Sequence, residues 1–188
     1  SEMCIRDRCW GRGSSGRLGN GSNSNSNTPA IVSGISTAST IDAGEDHTCA
    51  VLSDNTVQCW GYGLLGNLGN GSSSNSNTPV TVSNISTATA VAGGEDFNCA
   101  LLSGGTISCW GNGSYGSFGN GNLGSSNVPV IYSSVNASSV AAGDDFTCIL
   151  ESGAKRIGEV ESTTVKVSDA EAELPEKSVA VQVTMVSP

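Results

Sequence analysis

Apolar positions in this chain come in short runs separated by Gly, Ser, Asn and Thr. Four such runs follow one another: Pro29 to Ser33, Ser39 to Ala43, His47 to Leu52 and Thr56 to Trp60. None keeps a 3.6-residue apolar period, which excludes long amphipathic helices, and each predicts a short strand. Ser53-Asp54-Asn55 separates the last two runs, and Ser103-Gly104-Gly105 stands at the corresponding place further on. These residues reach positive φ at little cost, so both sites predict tight hairpins. Pro29 is expected at the start of its strand, where a missing N–H removes no ladder bond.

The pattern repeats. Cys9-Trp10-Gly11, Cys59-Trp60-Gly61 and Cys109-Trp110-Gly111 lie fifty residues apart. Leu18-Gly19-Asn20-Gly21, Leu68-Gly69-Asn70-Gly71 and Phe118-Gly119-Asn120-Gly121 keep that spacing, as do Pro29, Pro79 and Pro129. Gly44-Glu45-Asp46 matches Gly94-Glu95-Asp96 and then Gly143-Asp144-Asp145, one residue early. Four strands in a unit of this size is the arithmetic of a propeller blade. The fold class expected is therefore all-β: a partial β-propeller of about three four-stranded blades, with units at 9–58, 59–108 and 109–153.

The unit reads Gly-x-x-His-Thr-Cys-Ala-Val-Leu at 44–52, Val-x-Cys-Trp-Gly at 57–61, Gly-x-Leu-Gly-Asn-Gly at 66–71 and Pro at 79. In these motifs, over residues 9 to about 153, the chain resembles the regulator of chromosome condensation repeat family. That resemblance implies seven-bladed propellers, of which three units are an incomplete ring. It also implies a range of roles, including exchange factors for small GTPases, ubiquitin-ligase modules, light sensors and protein inhibitors of β-lactamase. A shared fold does not select among them.

Both flanks depart from the repeat. Ser1 to Arg8 (SEMCIRDR) resembles a translated sequencing adapter and is set aside from fold reasoning. No secretory leader is recognisable, and sequence upstream is expected. After Gly153 a strand ending in Cys-Trp-Gly is due, but Ala154 to Gly158 stands there. Residues 154–188 read as a divergent tail: a β-hairpin from Thr163 to Val167 and Ser178 to Val186, or a chimeric join.

Cysteine spacing bears on compartment. A hairpin turn centred on Asp54 sets Cys49 opposite Cys59 and Val51 opposite Val57, and the next unit repeats this with Cys99 and Cys109. Directly opposed residues lie within disulfide reach. We expect bridges Cys49–Cys59 and Cys99–Cys109 rather than four buried thiols, and hence an oxidising compartment. Cys9 would pair with a residue upstream, and Cys148 with one near position 158, which is Gly158.

Charge narrows the partners. The net charge is −9, and no Lys or Arg occurs between Arg17 and Lys155, a stretch holding nine acids. Phosphate backbones need clustered cations, so nucleic acid is not an expected partner, and no apolar run is long enough to insert in a membrane. The acid pairs Glu45/Asp46, Glu95/Asp96 and Asp144/Asp145 are the candidate Ca²⁺ positions. Two carboxylates per unit do not complete a shell of six to eight oxygens, so we read them as a solvated rim and expect no metal or cofactor.

Other candidates reduce to structure. Gly11-x-Gly13-x-x-Gly16 matches the dinucleotide fingerprint, but polar turn residues rather than a helix follow each copy. His47, the only His, is replaced by Phe97 and Phe146 in the other units, which marks a packing position. Trp10, Trp60 and Trp110 are expected in blade cores, with Gly44, Gly94 and Gly143 as structural glycines. With no catalytic set, the expected function is a non-enzymatic protein-binding or adhesion surface at the extracellular or cell-surface side. The alternative is an intracellular regulator such as a guanine-nucleotide exchange factor. Three blades leave apolar faces at both ends of the arc, which predicts marginal stability or association.

Overall fold

The computed structural model describes residues 7–132 and 136–153. The tail and most of the adapter-like segment lie outside the described residues. Within them the chain forms twelve strands and one 3-10 turn at Ser14–Gly16. In order these are β1 (Arg8–Gly11), β2 (Ser26–Ile31), β3 (Ala38–Ala43), β4 (His47–Leu52), β5 (Val57–Gly61) and β6 (Ser76–Thr81), followed by β7 (Ala88–Gly93), β8 (Phe97–Leu102), β9 (Ile107–Gly111), β10 (Ser126–Ile131), β11 (Ala137–Ala142) and β12 (Thr147–Glu151). The expected all-β partial propeller is what forms.

The strands assemble as two complete antiparallel sheets, β3-β4-β5-β6 and β7-β8-β9-β10, flanked by the pairs β1-β2 and β11-β12. The fifty-residue sequence unit is thus out of phase with the blade. β3, β7 and β11 pack side by side, so they are the inner strands of the arc. By strand position, β11-β12 is the inner half of a blade and β1-β2 the outer half. Together the four pieces hold the strands of three blades.

The hairpins form in the expected register, with Cys49 opposite Cys59 and Val51 opposite Val57, and Cys99 opposite Cys109. Cα separations of 4.1 Å and 4.0 Å place both sulfur pairs at disulfide distance. One feature differs from expectation. Pro29, Pro79 and Pro129 sit inside β2, β6 and β10 rather than at their starts. Each lies where the register against the neighbouring strand shifts. A bulge on an outermost strand leaves the residue unpaired, so the missing N–H costs nothing there.

Blades are welded through one carbonyl each. The Trp60 indole Nε1 donates to the Arg17 carbonyl at 3.0 Å, and Thr48 Oγ1 donates to the same oxygen at 3.0 Å. One unit on, Trp110 Nε1 and Asn98 Nδ2 donate to the Asn67 carbonyl at 2.9 and 2.8 Å. Trp60 and Trp110 are 0% exposed. Gly69 lets the Trp110 ring lie flat on the preceding loop, since a Cβ there would come within 2.8 Å of the indole. Trp10 departs from the expected core position: it is 62% exposed, because no preceding loop covers it among the described residues.

A second weld runs along the other rim. Gly21 N–H donates to the Asn77 carbonyl at 2.8 Å, while Asn77 Nδ2 donates back to the Gly21 carbonyl at 2.9 Å. Gly71 and Asn127 repeat the exchange at 2.9 Å in both directions. Asn77 in β6 and Asn127 in β10 are therefore structural residues.

Candidate functional site

The turns β3–β4, β7–β8 and β11–β12 lie at corresponding ends of three adjacent inner hairpins, and they carry the acid pairs. Neighbouring turns are fixed to each other. Gly93 N–H donates to Asp42 Oδ2 at 2.8 Å, and Glu95 N–H donates to the Asp144 carbonyl at 3.0 Å. The turn must bend sharply into β4 or β8. Gly61 and Gly111 face it at φ +107° and +100°, and a Cβ on Gly111 would lie 2.5 Å from the Asp96 carbonyl.

In the first two pairs the two acids have different surroundings. Asp46 is half-buried and forms an ion pair with Arg17. Asp96 accepts a hydrogen bond from Asn67 Nδ2 at 3.4 Å, and Asn67 occupies the position of Arg17 one unit on. Glu45, Glu95, Asp144 and Asp145 are exposed. The exposed acids sense one another across blades: Glu45 pushes the Glu95 carboxyl above its ordinary range, with smaller effects from desolvation, Asp96 and Asp145. The result is a row of negative charge along one rim, with Arg17 tied to its inner side. Among the described residues no three acidic, Cys or His side chains converge as a metal-binding group.

His47 stands just behind the row and is 1% exposed, as is its counterpart Phe97. Its Nε2 lies 3.0 Å from Asn98 Oδ1. Asn98 Nδ2 is committed to the Asn67 carbonyl, so Oδ1 accepts and His47 Nε2 carries the proton of a neutral ring. Burial lowers the His47 pKa from 6.5, against the opposing pull of the Asn98 hydrogen bond, the Asp96 and Asp46 carboxylates and the Phe97 backbone. The folded state therefore binds this proton less readily than the unfolded chain. His47 contributes its full stability above pH 6.5, and the contribution is lost as pH falls from there through the lowered value. His47→Phe should flatten the stability-against-pH curve just below pH 6.5, read as urea midpoints at several pH values.

The sequence singled out both acid pairs and aromatics. It did not show that one acid of the Asp46 pair is neutralised, nor that Asp42 joins two turns. Arg17 precedes Asp46 by 29 residues, the same spacing as Asn67 to Asp96, and that spacing is the only signal that could have found the link. The glycines at 11, 13 and 16 form a strand-to-loop turn whose Gly13 N–H donates to Asn25 Oδ1 at 3.0 Å, with no α-helix behind it.

The family model described as the regulator of chromosome condensation (RCC1) repeat matches residues 9–51, 54–101 and 105–150. A second model of the same repeat matches 38–67 and 88–117, spanning the β3–β5 and β7–β9 segments. A search of curated proteins returns no significant match. Among solved structures, the chain is similar to Prp20p from Saccharomyces cerevisiae at 19% identity and a TM-score of 0.69, over 76% of this chain and 38% of that one. Human WBSCR16 is similar at 23% identity and a TM-score of 0.66, over 76% and 39%. Yeast RCC1 (Prp20) bound to Kap60 gives 20% identity and a TM-score of 0.65, over 77% and 37%. The chain thus spans about two-fifths of the length of these structures, and the likeness concerns the fold. With the repeat model covering most of its length in three consecutive copies, the chain belongs to the RCC1 repeat family.

Proposed function

We propose that this chain is a non-enzymatic protein-binding surface of an extracellular β-propeller, and that its acidic rim receives a cationic segment of the partner. The observation that carries this reading is the row Glu45, Glu95, Asp144 and Asp145, exposed on adjacent turns held rigid by inter-blade hydrogen bonds. A rigid row of like charge steers and orients a complementary partner. The two cysteine pairs at disulfide distance support an oxidising compartment. The similar yeast protein Prp20p is described as binding Gsp1p and histones, and another structure has it bound to Kap60. Protein binding is therefore an activity that such propellers carry. Nucleic acid fits this reading poorly, because residues 18–153 contain no Lys or Arg.

A lysine-rich peptide serves as the probe. Exchanging Glu45→Gln, Glu95→Gln and Asp144→Asn together should weaken its binding at least about tenfold at low salt and flatten the salt dependence, without lowering the urea midpoint. Equal binding by the triple variant would reject the rim as the site. The Prp20p likeness favours a second reading, an intracellular regulator such as a guanine-nucleotide exchange factor. That reading requires accelerated nucleotide release from a small GTPase and reduced cysteines in protein taken from its source.

A further inference from the structure

The first unit shows how this fold holds a guanidinium. Arg17 Nε donates to the Ser14 carbonyl at 3.1 Å, Nη1 to the Glu45 carbonyl at 3.0 Å and Nη2 to Ser14 Oγ at 3.0 Å, and the group pairs with Asp46. In the second unit the acids remain, as Glu95 and Asp96, but Leu64 stands for Ser14 and Asn67 for Arg17. Residues 59–108 contain no Lys or Arg, so the unit brings no cation of its own. Asn67 does not take over the role. It is 0% exposed, and its Nδ2 reaches Asp96 Oδ1 only at 3.4 Å. Its Oδ1 is buried without a hydrogen-bond partner among the described residues. An acceptor left unpaired in this way costs free energy until a donor reaches it.

A second observation at the same place is apolar. Leu64 and Leu65 are 54% and 40% exposed. They form one wall of an open cleft of about 420 Å³, and Ser126 and Asn127 stand on the other wall. In the first unit Ser14 and Ser15 occupy the two leucine positions and face Ser76 and Asn77. The leucines lie in the β5–β6 loop and the opposite wall in β10, so both walls belong to complete four-stranded sheets. Ser14 Oγ and the Asp46 carboxylate bind the same guanidinium nitrogen, so their counterparts Leu64 and Asp96 are neighbours. The loop is also held in place: Tyr62 N–H, at its start, donates to the Asp46 carbonyl at 2.8 Å. Charge and cleft are thus two sides of one fixed place.

We propose that this place takes an arginine of the partner with an apolar residue beside it. The guanidinium stands against Asp96 and the Glu95 carbonyl as Arg17 stands against Asp46 and the Glu45 carbonyl, with Asn67 Oδ1 as a further acceptor. The apolar side chain enters the cleft beside Leu64 and Leu65. The proposal rests on the acidic rim being a protein-binding surface, and it names what the bound segment must carry. Arginine fits better than lysine, because a planar fork of donors can reach a carboxylate and a carbonyl together. The leucines lower the local polarity, which strengthens the ion pair beside them. The first unit fills the corresponding place with its own Arg17 and presents Ser14 and Ser15 there, so of these two units only the second receives the partner's arginine.

Three peptides of equal length and charge serve as probes, built on Leu-Arg, Leu-Lys and Ser-Arg pairs, with binding to the full chain read by fluorescence anisotropy at fixed salt. The Leu-Arg peptide should bind at least about tenfold more tightly than either of the others, since each lacks one of the two contacts. Leu64→Ser with Leu65→Ser should remove the advantage of Leu over Ser and keep that of Arg over Lys. Asp96→Asn should do the reverse. Asn67→Arg, which supplies a guanidinium from within, should also cancel the advantage of Arg over Lys; should it fail to fold, Asp96→Asn carries that arm. The proposal is overturned if the three peptides bind alike, or if the variants change all three affinities by the same factor. Where that happens while the triple exchange at Glu45, Glu95 and Asp144 still weakens binding, the acidic rim stands and only the arginine site is lost. Where no peptide binds in a salt-dependent way, the rim falls with it.

Discussion

Trp110→Ala is expected to destabilise the chain by about 3–5 kcal/mol, while Trp10→Ala leaves single-chain stability within about 0.5 kcal/mol. The two residues occupy the same place in the repeat. Trp110 is 0% exposed, lies on Gly69 and donates its indole N–H to the Asn67 carbonyl at 2.9 Å. Truncating it opens a cavity between two blades and leaves the carbonyl with Asn98 alone. Trp10 has 62% of its surface in water, so its removal takes little apolar area out of the fold. Urea unfolding of both variants, at protein concentrations low enough to keep the chain monomeric, checks the contrast. Equal losses would mean that the repeat position, rather than the neighbouring blade, decides what the Trp contributes.

Loss of both cysteine bridges should cost about 5–6 kcal/mol, since each closes a short loop worth roughly 2.5–3 kcal/mol in the chain-entropy model. That approaches the whole stability of a typical domain. The four sulfurs belong to residues that are no more than 1% exposed, so a reductant reaches them only when the hairpins open. Reduction should therefore be slow in buffer, fast in moderate urea, and followed by unfolding. Melting curves with and without reductant, together with thiol alkylation of the denatured but unreduced protein, test this. Finding Cys49, Cys59, Cys99 and Cys109 all alkylated without reductant would show that the bridges had not formed, and would remove their support for an extracellular setting.

Spacing alone was enough to read the hairpins. A tight turn fixes register, and register fixes which residues oppose each other, so Cys49–Cys59 and Val51–Val57 followed from counting. The fifty-residue period likewise determined a propeller, since one hairpin-rich unit cannot bury its own faces and must stack on copies of itself. The packing role of His47 was legible from Phe97 and Phe146 at the same place. The acid pairs were legible as a group, but not the difference within them, which depends on Arg17 reaching across from the preceding loop.

Local features could be read from the order of residues alone: strands, turns, register and the rule that each unit resembles the next. Where blades begin emerged from the folded chain, because strand pairing unites the end of one sequence unit with the start of the next. It also decided that Trp10 is exposed while Trp60 and Trp110 are buried, and that the prolines sit in bulges. Identical residues in a repeat carry identical local preferences. Their burial, charge state and hydrogen bonds are set by the neighbouring blade, which at the two ends of this arc is a different thing from what it is in the middle.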